Sequence, residues 1–293
     1  MMNKVLTVLF VLIRIVIPSL HAQVDVSPHL VDCSKVRYTS RTTITRGDSI
    51  QVYTHRTIYA VSNVTTQGAV ITVVQQESDP KDDLNEIPVS FSTDSQGRLL
   101  CVLNTDEIKE KVKEYTHRAL QHYEDENIKR VVEEETEKLY TAENILMQHK
   151  SYGVLALNGM TVSDGMIDSF FYNGLKLKCT YSVTGKTITA KTTLDMTQEE
   201  IKNHFRKQLG DSIPNVEEMF EQAAKEVPVE ELQVIKKEYE EKMEDTLEKA
   251  IPMIDMTSVY ELDDDGWVKS IHTESIEIDN GNKRHTTTLT SRL

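Results

Sequence analysis

Leu175-Lys176-Leu177-Lys178-Cys179-Thr180-Tyr181-Ser182-Val183 decides the reading of this chain: every odd position is apolar and every even one polar. Successive side chains of a strand point to opposite faces, so a period of two specifies a strand with one buried face and one wet face. Antiparallel sheets tolerate that asymmetry, whereas parallel sheets are covered on both sides and read as continuous apolar runs. The flanks agree. Asn173-Gly174 and Thr184-Gly185 are hairpin-type turns, with residues 166–172 and 186–194 as the neighbouring strands.

Working outward, the same signature recurs. Residues 36–46, 50–62 and 69–76 are rich in Thr, Val, Ile and Tyr and are separated by Gly47-Asp48 and Thr66-Gln67-Gly68, which reads as a meander. A second hairpin, 88–93 with 98–103, turns at Asp94-Ser95-Gln96-Gly97, and residues 153–157 read as a further strand. Residues 256–293 return to strands, turning at Asp263-Asp264-Asp265-Gly266 and near Asn280-Gly281. The segment 89–97 echoes 258–266, an echo that turn chemistry alone can produce.

Two blocks break this pattern. In 105–149, Ile108, Val112, Tyr115, Ala119 and Tyr123 recur at helical spacing behind Asn104, and the phase slips through 124–127, which predicts a bend or break there. In 197–250, Thr197 and Glu200 form a capping box. Ile201, Phe205 and Leu209 come next, the helix is expected to stop at Gly210, and Asn215 and Pro228 are expected to open two more. The first block holds 12 acids and 8 bases between residues 105 and 150, and the second holds 15 and 8. Such charge reads as solvated outer faces with an apolar stripe turned inward; a docking face for a basic partner is the sharper alternative.

Hairpins throughout and no βαβ alternation predict an α+β protein: a curved antiparallel sheet, an open half-barrel being its fullest form, packed against two helical blocks. The expected division is a signal peptide at 1–23, a β-meander plus long helical segment at 24–150, and hairpins, a three-helix block and C-terminal strands at 151–293. Residues 24–293 can equally form one continuous domain.

Composition narrows the function. The 293 residues carry 33 basic and 47 acidic side chains, a net charge of −14, and a pI near 5.1. That balance argues against nucleic acid, where affinity comes from neutralising phosphates, and against an anionic membrane surface. A hydrophobic content of 39% is enough for a packed core. The chain opens with a short basic start, Met1 to Lys4, then an apolar run over 5–17 interrupted by Arg14, then Pro18 and Ala22. This is the layout of a secretory signal peptide, and the run is shorter than the roughly 20 residues that span a bilayer. Cleavage is expected after Ala22 or Gln23, giving a secreted or periplasmic protein with no transmembrane segment. Asp32 stands before Cys33 where a lipoprotein signal needs a small residue, so a lipid anchor is not expected.

Three cysteines, Cys33, Cys101 and Cys179, allow at most one internal disulfide. Cys101 with Cys179 is the pair expected if one forms, because both fall on regular strands. No metalloprotease motif, nucleophile elbow, phosphate-cradling loop or CxxC pair occurs, so no catalytic residue, cofactor or metal is assigned. Glu261, Asp263, Asp265 and Gly266 match half of a calcium loop, but His272 stands where its closing Glu belongs. Arg46-Gly47-Asp48 sits where a hairpin needs its turn, and Asn63-Val64-Thr65 is a glycosylation sequon only in a eukaryotic host.

In the order of its elements the mature chain resembles the LolA- and LppX-type bacterial lipoprotein-carrier folds, and it is similar to secreted bacterial proteins with Thr-rich strands and D-x-x-G hairpins. The carrier resemblance implies an acyl chain or other apolar molecule held between sheet and helices. Leu175, Leu177, Cys179, Tyr181 and Phe205 are the residues expected to line such a groove. Three functions stand as expectations: a non-enzymatic periplasmic or envelope binding protein for an apolar small molecule or lipid; an envelope protein docking another protein through its acidic helices; and, as the minor reading, a hydrolase with a dispersed site.

Overall fold

A computed structural model describes residues 22–77, 87–121, 126–151, 153–172, 175–212, 228, 232–238, 242, 253–279 and 282–293. Two meanders dominate it. The first runs through β2 (Lys35–Arg46), β3 (Ser49–Ser62), β4 (Val70–Glu77), β5 (Val89–Thr93) and β6 (Leu99–Val102). The second comprises β8 (Ile167–Tyr172), β9 (Leu175–Thr184), β10 (Thr187–Leu194), β11 (Met253–Leu262), β12 (Val268–Asp279) and β13 (Asn282–Arg292). They fuse where β13 pairs antiparallel with β2, from Arg284 opposite Arg46 to Arg292 opposite Tyr38. The product is one open antiparallel sheet of eleven strands, ordered β6-β5-β4-β3-β2-β13-β12-β11-β10-β9-β8. The first and last long strands of the chain therefore meet near its centre, and β6 and β8 are its edges. A separate two-stranded sheet joins β1 (Gln23–Val26) to β7 (Met160–Ser163).

Burial follows the period of two. Leu175, Leu177, Cys179, Tyr181 and Val183 of β9 are all buried, and their even-numbered neighbours are not. The same face continues through Val36 and Tyr38 of β2, Tyr59 and Val61 of β3, Ile71 and Val73 of β4, and Ile188 of β10. This inner face holds the core.

The helices are α1 (Thr105–Leu120), α2 (Glu126–Leu139) and α3 (Ala142–Ser151) between β6 and β7, and α4 (Gln198–Ser212) after β10; residues 232–238 are also helical. α1 buries Ile108, Val112, Thr116 and Leu120, a stripe at i, i+4 spacing, and lies against α2. α3 contacts β6 and β8, the two opposite edges of the sheet. Its 10 residues measure about 15 Å, whereas ten strand spacings of about 4.8 Å would hold the edges of a flat sheet roughly 48 Å apart. The sheet curves until a single helix reaches both edges.

The end of the sheet formed by the D-x-x-G turns repeats that relationship. A Cβ on Gly97, in the β5–β6 turn, would stand 2.8 Å from Pro28 Cγ, and one on Gly266, in the β11–β12 turn, would collide with the Ser27 carbonyl. Both turns carry the same bond, from the glycine N–H to the carbonyl oxygen of Asp94 or Asp263. The dipeptide Ser27-Pro28 is thus wedged between turns that four strands separate along the sheet.

Several expectations change. The sheet outweighs the helices, so the α+β balance tips toward β. The first helical block breaks a second time at Tyr140-Thr141, where the Asn144 N–H donates to Thr141 Oγ1 at 3.2 Å and caps α3. Residues 154–159 form consecutive turns, not a strand, with Val154, Leu155 and Leu157 buried; a short apolar run fits either period. β1 and β7 are additions to the expected strands. α4 leaves the sheet between β10 and β11, which pair directly through Thr193 and Asp255. The signal peptide, the loop 80–86 and most of the helices expected after Asn215 and Pro228 lie outside the described residues.

Candidate functional site

The alternation that makes the core also makes its interruption. On β2 the inner positions run Val36, Tyr38, Ser40, Thr42, passing from apolar to hydroxylated at the middle of the sheet. Register brings matching residues opposite: Ser40 faces Thr290 and Thr42 faces Thr288 across β13, and Ser258 faces Thr273 across β11 and β12. Their hydroxyls bond in pairs, at 2.8 Å for Ser40–Thr290, 3.0 Å for Thr42–Thr288 and 3.0 Å for Ser258–Thr273. Each hydroxyl carries one donor and two acceptor lone pairs, so pairing leaves every one of them further capacity.

Two cavities lie between this face and α3. The larger, about 400 Å³, is walled by Ser40, Thr42, Thr57, Thr273, Thr288 and Thr290, with His55 and Gln75 from β3 and β4 and with Gln148 and His149 from α3. The smaller, about 170 Å³, is lined mainly by Met147, Met160, Phe170, Tyr181 and Tyr260, and Met256 lines both. Among the described residues, no Asp, Glu, Lys or Arg lines the larger cavity. The smaller has Lys150 and Asp168 among its lining residues, both exposed. Two residues beyond Thr286 on the same face, Arg284 pairs with Glu277 at 3.6 Å.

Aromatic rings close one end of the larger cavity. Tyr38 and Tyr59 meet edge to face with centroids 5.4 Å apart, and Tyr59 lies 6.3 Å from the fully buried Trp267. Tyr38 donates its hydroxyl to the Val268 carbonyl at 2.5 Å. Burial pushes both phenols up, so they remain neutral donors. On the roof, His149 sets its ring 4.9 Å from Phe91; withdrawal from water pushes its imidazole down to about 4 and keeps it uncharged at neutral pH. Below the aromatic end, Arg292 grips Asp265 with both Nη atoms, at 2.8 and 2.7 Å, and reaches Asp263 at 3.3 Å. These are two of the carboxylates of the half calcium loop, and a guanidinium occupies them. Among the described residues no cluster of three or more His, Cys, Asp or Glu side chains could hold a metal ion.

Of the residues expected to line a groove, Cys179 and Tyr181 line the smaller cavity. Leu175 and Leu177 share their buried face but line neither cavity. Phe205 is half-buried on α4, its ring 5.6 Å from that of His204. Cys101 and Cys179 are not brought together: Cys101 is exposed on the edge strand β6, Cys179 is buried beside the opposite edge, and all three thiols are free. The hydroxyl wall was written in the Thr-rich strands, but only the pairing of β13 with β2 tells which threonines share a face.

No protein-family model matches this chain, and no curated protein matches it either.

Proposed function

We propose that this is an exported, non-enzymatic binding protein that holds a small amphipathic molecule between the concave face of a half-barrel sheet and α3. The observation that carries the reading is the pair of adjoining cavities of unlike lining beneath one helix that touches both sheet edges. The larger has the size of a small-molecule site, roughly 300–1,000 Å³. The sulfur and aromatic lining of the smaller suits an apolar group, and Met256 marks the junction between them. Compared with a carrier for a bare acyl chain, the hydroxylated wall favours a ligand with a polar part as well. Export rests on the basic start and short apolar run at the N-terminus, and no helix among the described residues is long and apolar enough to cross a membrane.

Native mass spectrometry of the protein purified from its own host tests both parts. The expected spectrum shows a chain beginning at Gln23 or Val24 with a bound small molecule. A bare polypeptide overturns the binding reading, and a chain retaining residues 1–22 overturns the export.

A further inference from the structure

We infer that the polar part of the ligand is neutral and rich in hydroxyls, a glycosyl or polyol group rather than a phosphate, carboxylate or ammonium. The inference rests on the binding function proposed above and specifies its ligand. Its basis is the chemistry of the larger cavity. Six Ser and Thr hydroxyls and two side-chain amides face it, and among the described residues no carboxylate, ammonium or guanidinium does. His149 is held neutral; Arg284 and Glu277, further along the same face, pair at 3.6 Å and line neither cavity.

An anion or cation entering such a site would surrender its hydration without meeting a carboxylate, ammonium or guanidinium, a transfer that costs far more than moving a hydroxyl that finds partners. A hydroxylated guest meets partners of both kinds, since each wall hydroxyl can donate or accept and the two glutamines do both. Val36, Val61 and Ile71 show that this same face is dry and apolar where it forms the core, and six hydroxyls come together where it opens beneath α3. In this arrangement the hydroxylated part occupies the larger cavity, and a short apolar part passes Met256 into the smaller one.

The test uses two probes with eight-carbon chains, n-octyl β-glucoside and n-octanoate (whose eighth carbon is the carboxylate), titrated below their micelle concentrations against the ligand-stripped full mature chain by calorimetry. The glucoside is expected to bind at least tenfold more tightly than octanoate. Thr288→Val with Thr290→Val, which keeps side-chain shape and removes two hydroxyls, is expected to weaken the glucoside at least tenfold and to leave octanoate within twofold, because a site built for hydroxyls loses its preference when the wall cannot answer them. If the double variant does not fold, Thr57→Val carries the same test alone. Octanoate binding as tightly as the glucoside, or valine variants that leave glucoside affinity unchanged, overturn the assignment. Absence of binding by either probe also overturns it. The native mass spectrum then separates the two failures: a bound host molecule leaves the binding function standing, and a bare chain removes both.

Discussion

Gly97 and Gly266 close on the same dipeptide from opposite wings of the sheet, the first against Pro28 and the second against Ser27. Both have positive φ, +81° and +77°, where a side chain is strained and here would also collide. The N-terminal segment is thereby part of the curvature: β1 ties it to β7, the wedge spans the two turns, and the His29 N–H donates to the Asp265 carbonyl at 2.7 Å.

Gly266→Ala should therefore destabilise the fold by at least about 2 kcal/mol, strain and collision together. Gly185→Ala is the control, since Gly185 shares the positive φ but has nothing within 4 Å of a new Cβ, and should cost about 1 kcal/mol. Urea unfolding of the two variants decides it. Equal losses would contradict the wedge.

Arg292→Met removes the fork on Asp265, leaving a half-exposed carboxylate without its partner. A loss of about 1–2 kcal/mol is expected, the range for charged hydrogen bonds moderated by exposure. The Arg292 guanidinium holds the Asp265 carboxyl below its ordinary value. The stability it contributes is present above the unfolded carboxylate range and is lost as pH falls through the depressed value. In Arg292→Met that acid-side loss should shrink. A variant as stable as the parent, with an unchanged acid limb, would sink this account.

His149 predicts a second pH dependence, at milder acidity. Its folded imidazole titrates at about 4, and an unfolded one near 6.5. Between those values the unfolded chain binds the extra proton, so stability is full above pH 6.5 and falls as pH drops toward 4. About 2–3 kcal/mol is at stake for a group that retains some exposure. His149→Phe should flatten this limb of the stability–pH curve, and a curve unchanged in shape would mean the imidazole is hydrated and not packed against Phe91.

The thiols give a simpler check. Cys33 and Cys101 are exposed and Cys179 is buried, all three free. A thiol reagent should label two positions rapidly in the native protein and the third only on unfolding. One reactive thiol in the denatured, unreduced chain would show a disulfide, and its mapping to Cys101 and Cys179 would contradict the placement of β6 and β9.

Local chemistry was legible and long-range closure was not. The alternation of β9, the D-x-x-G turns and the capping box at Thr197, whose N–H reaches Glu200 Oε2 at 2.7 Å, are all short-range signals that survive in the structure. The pairing of β13 with β2 joins segments from opposite ends of the chain, and no periodicity announces it. The Cys101–Cys179 pairing was attractive only while the sheet order was unknown. β1 and β7 are four residues each, too short for a period of two to stand out. The site depended on the same closure, because Ser40 and Thr290 become neighbours only when the two meanders join. Leu175 and Phe205 were plausible groove residues from apolar spacing alone, which marks burial but not what a face is buried against.

Met256 offers the most direct test of the claim that one amphipathic molecule spans both cavities, because it is the side chain that lines each of them. Met256→Trp fills the junction with little reach elsewhere, at an overpacking cost of about 1–3 kcal/mol. Native mass spectra of parent and variant, both purified from the natural host and both confirmed folded by circular dichroism, give the answer. The account predicts a bound molecule on the parent and a bare chain for the variant. A variant that carries the same molecule at the same occupancy would contradict it.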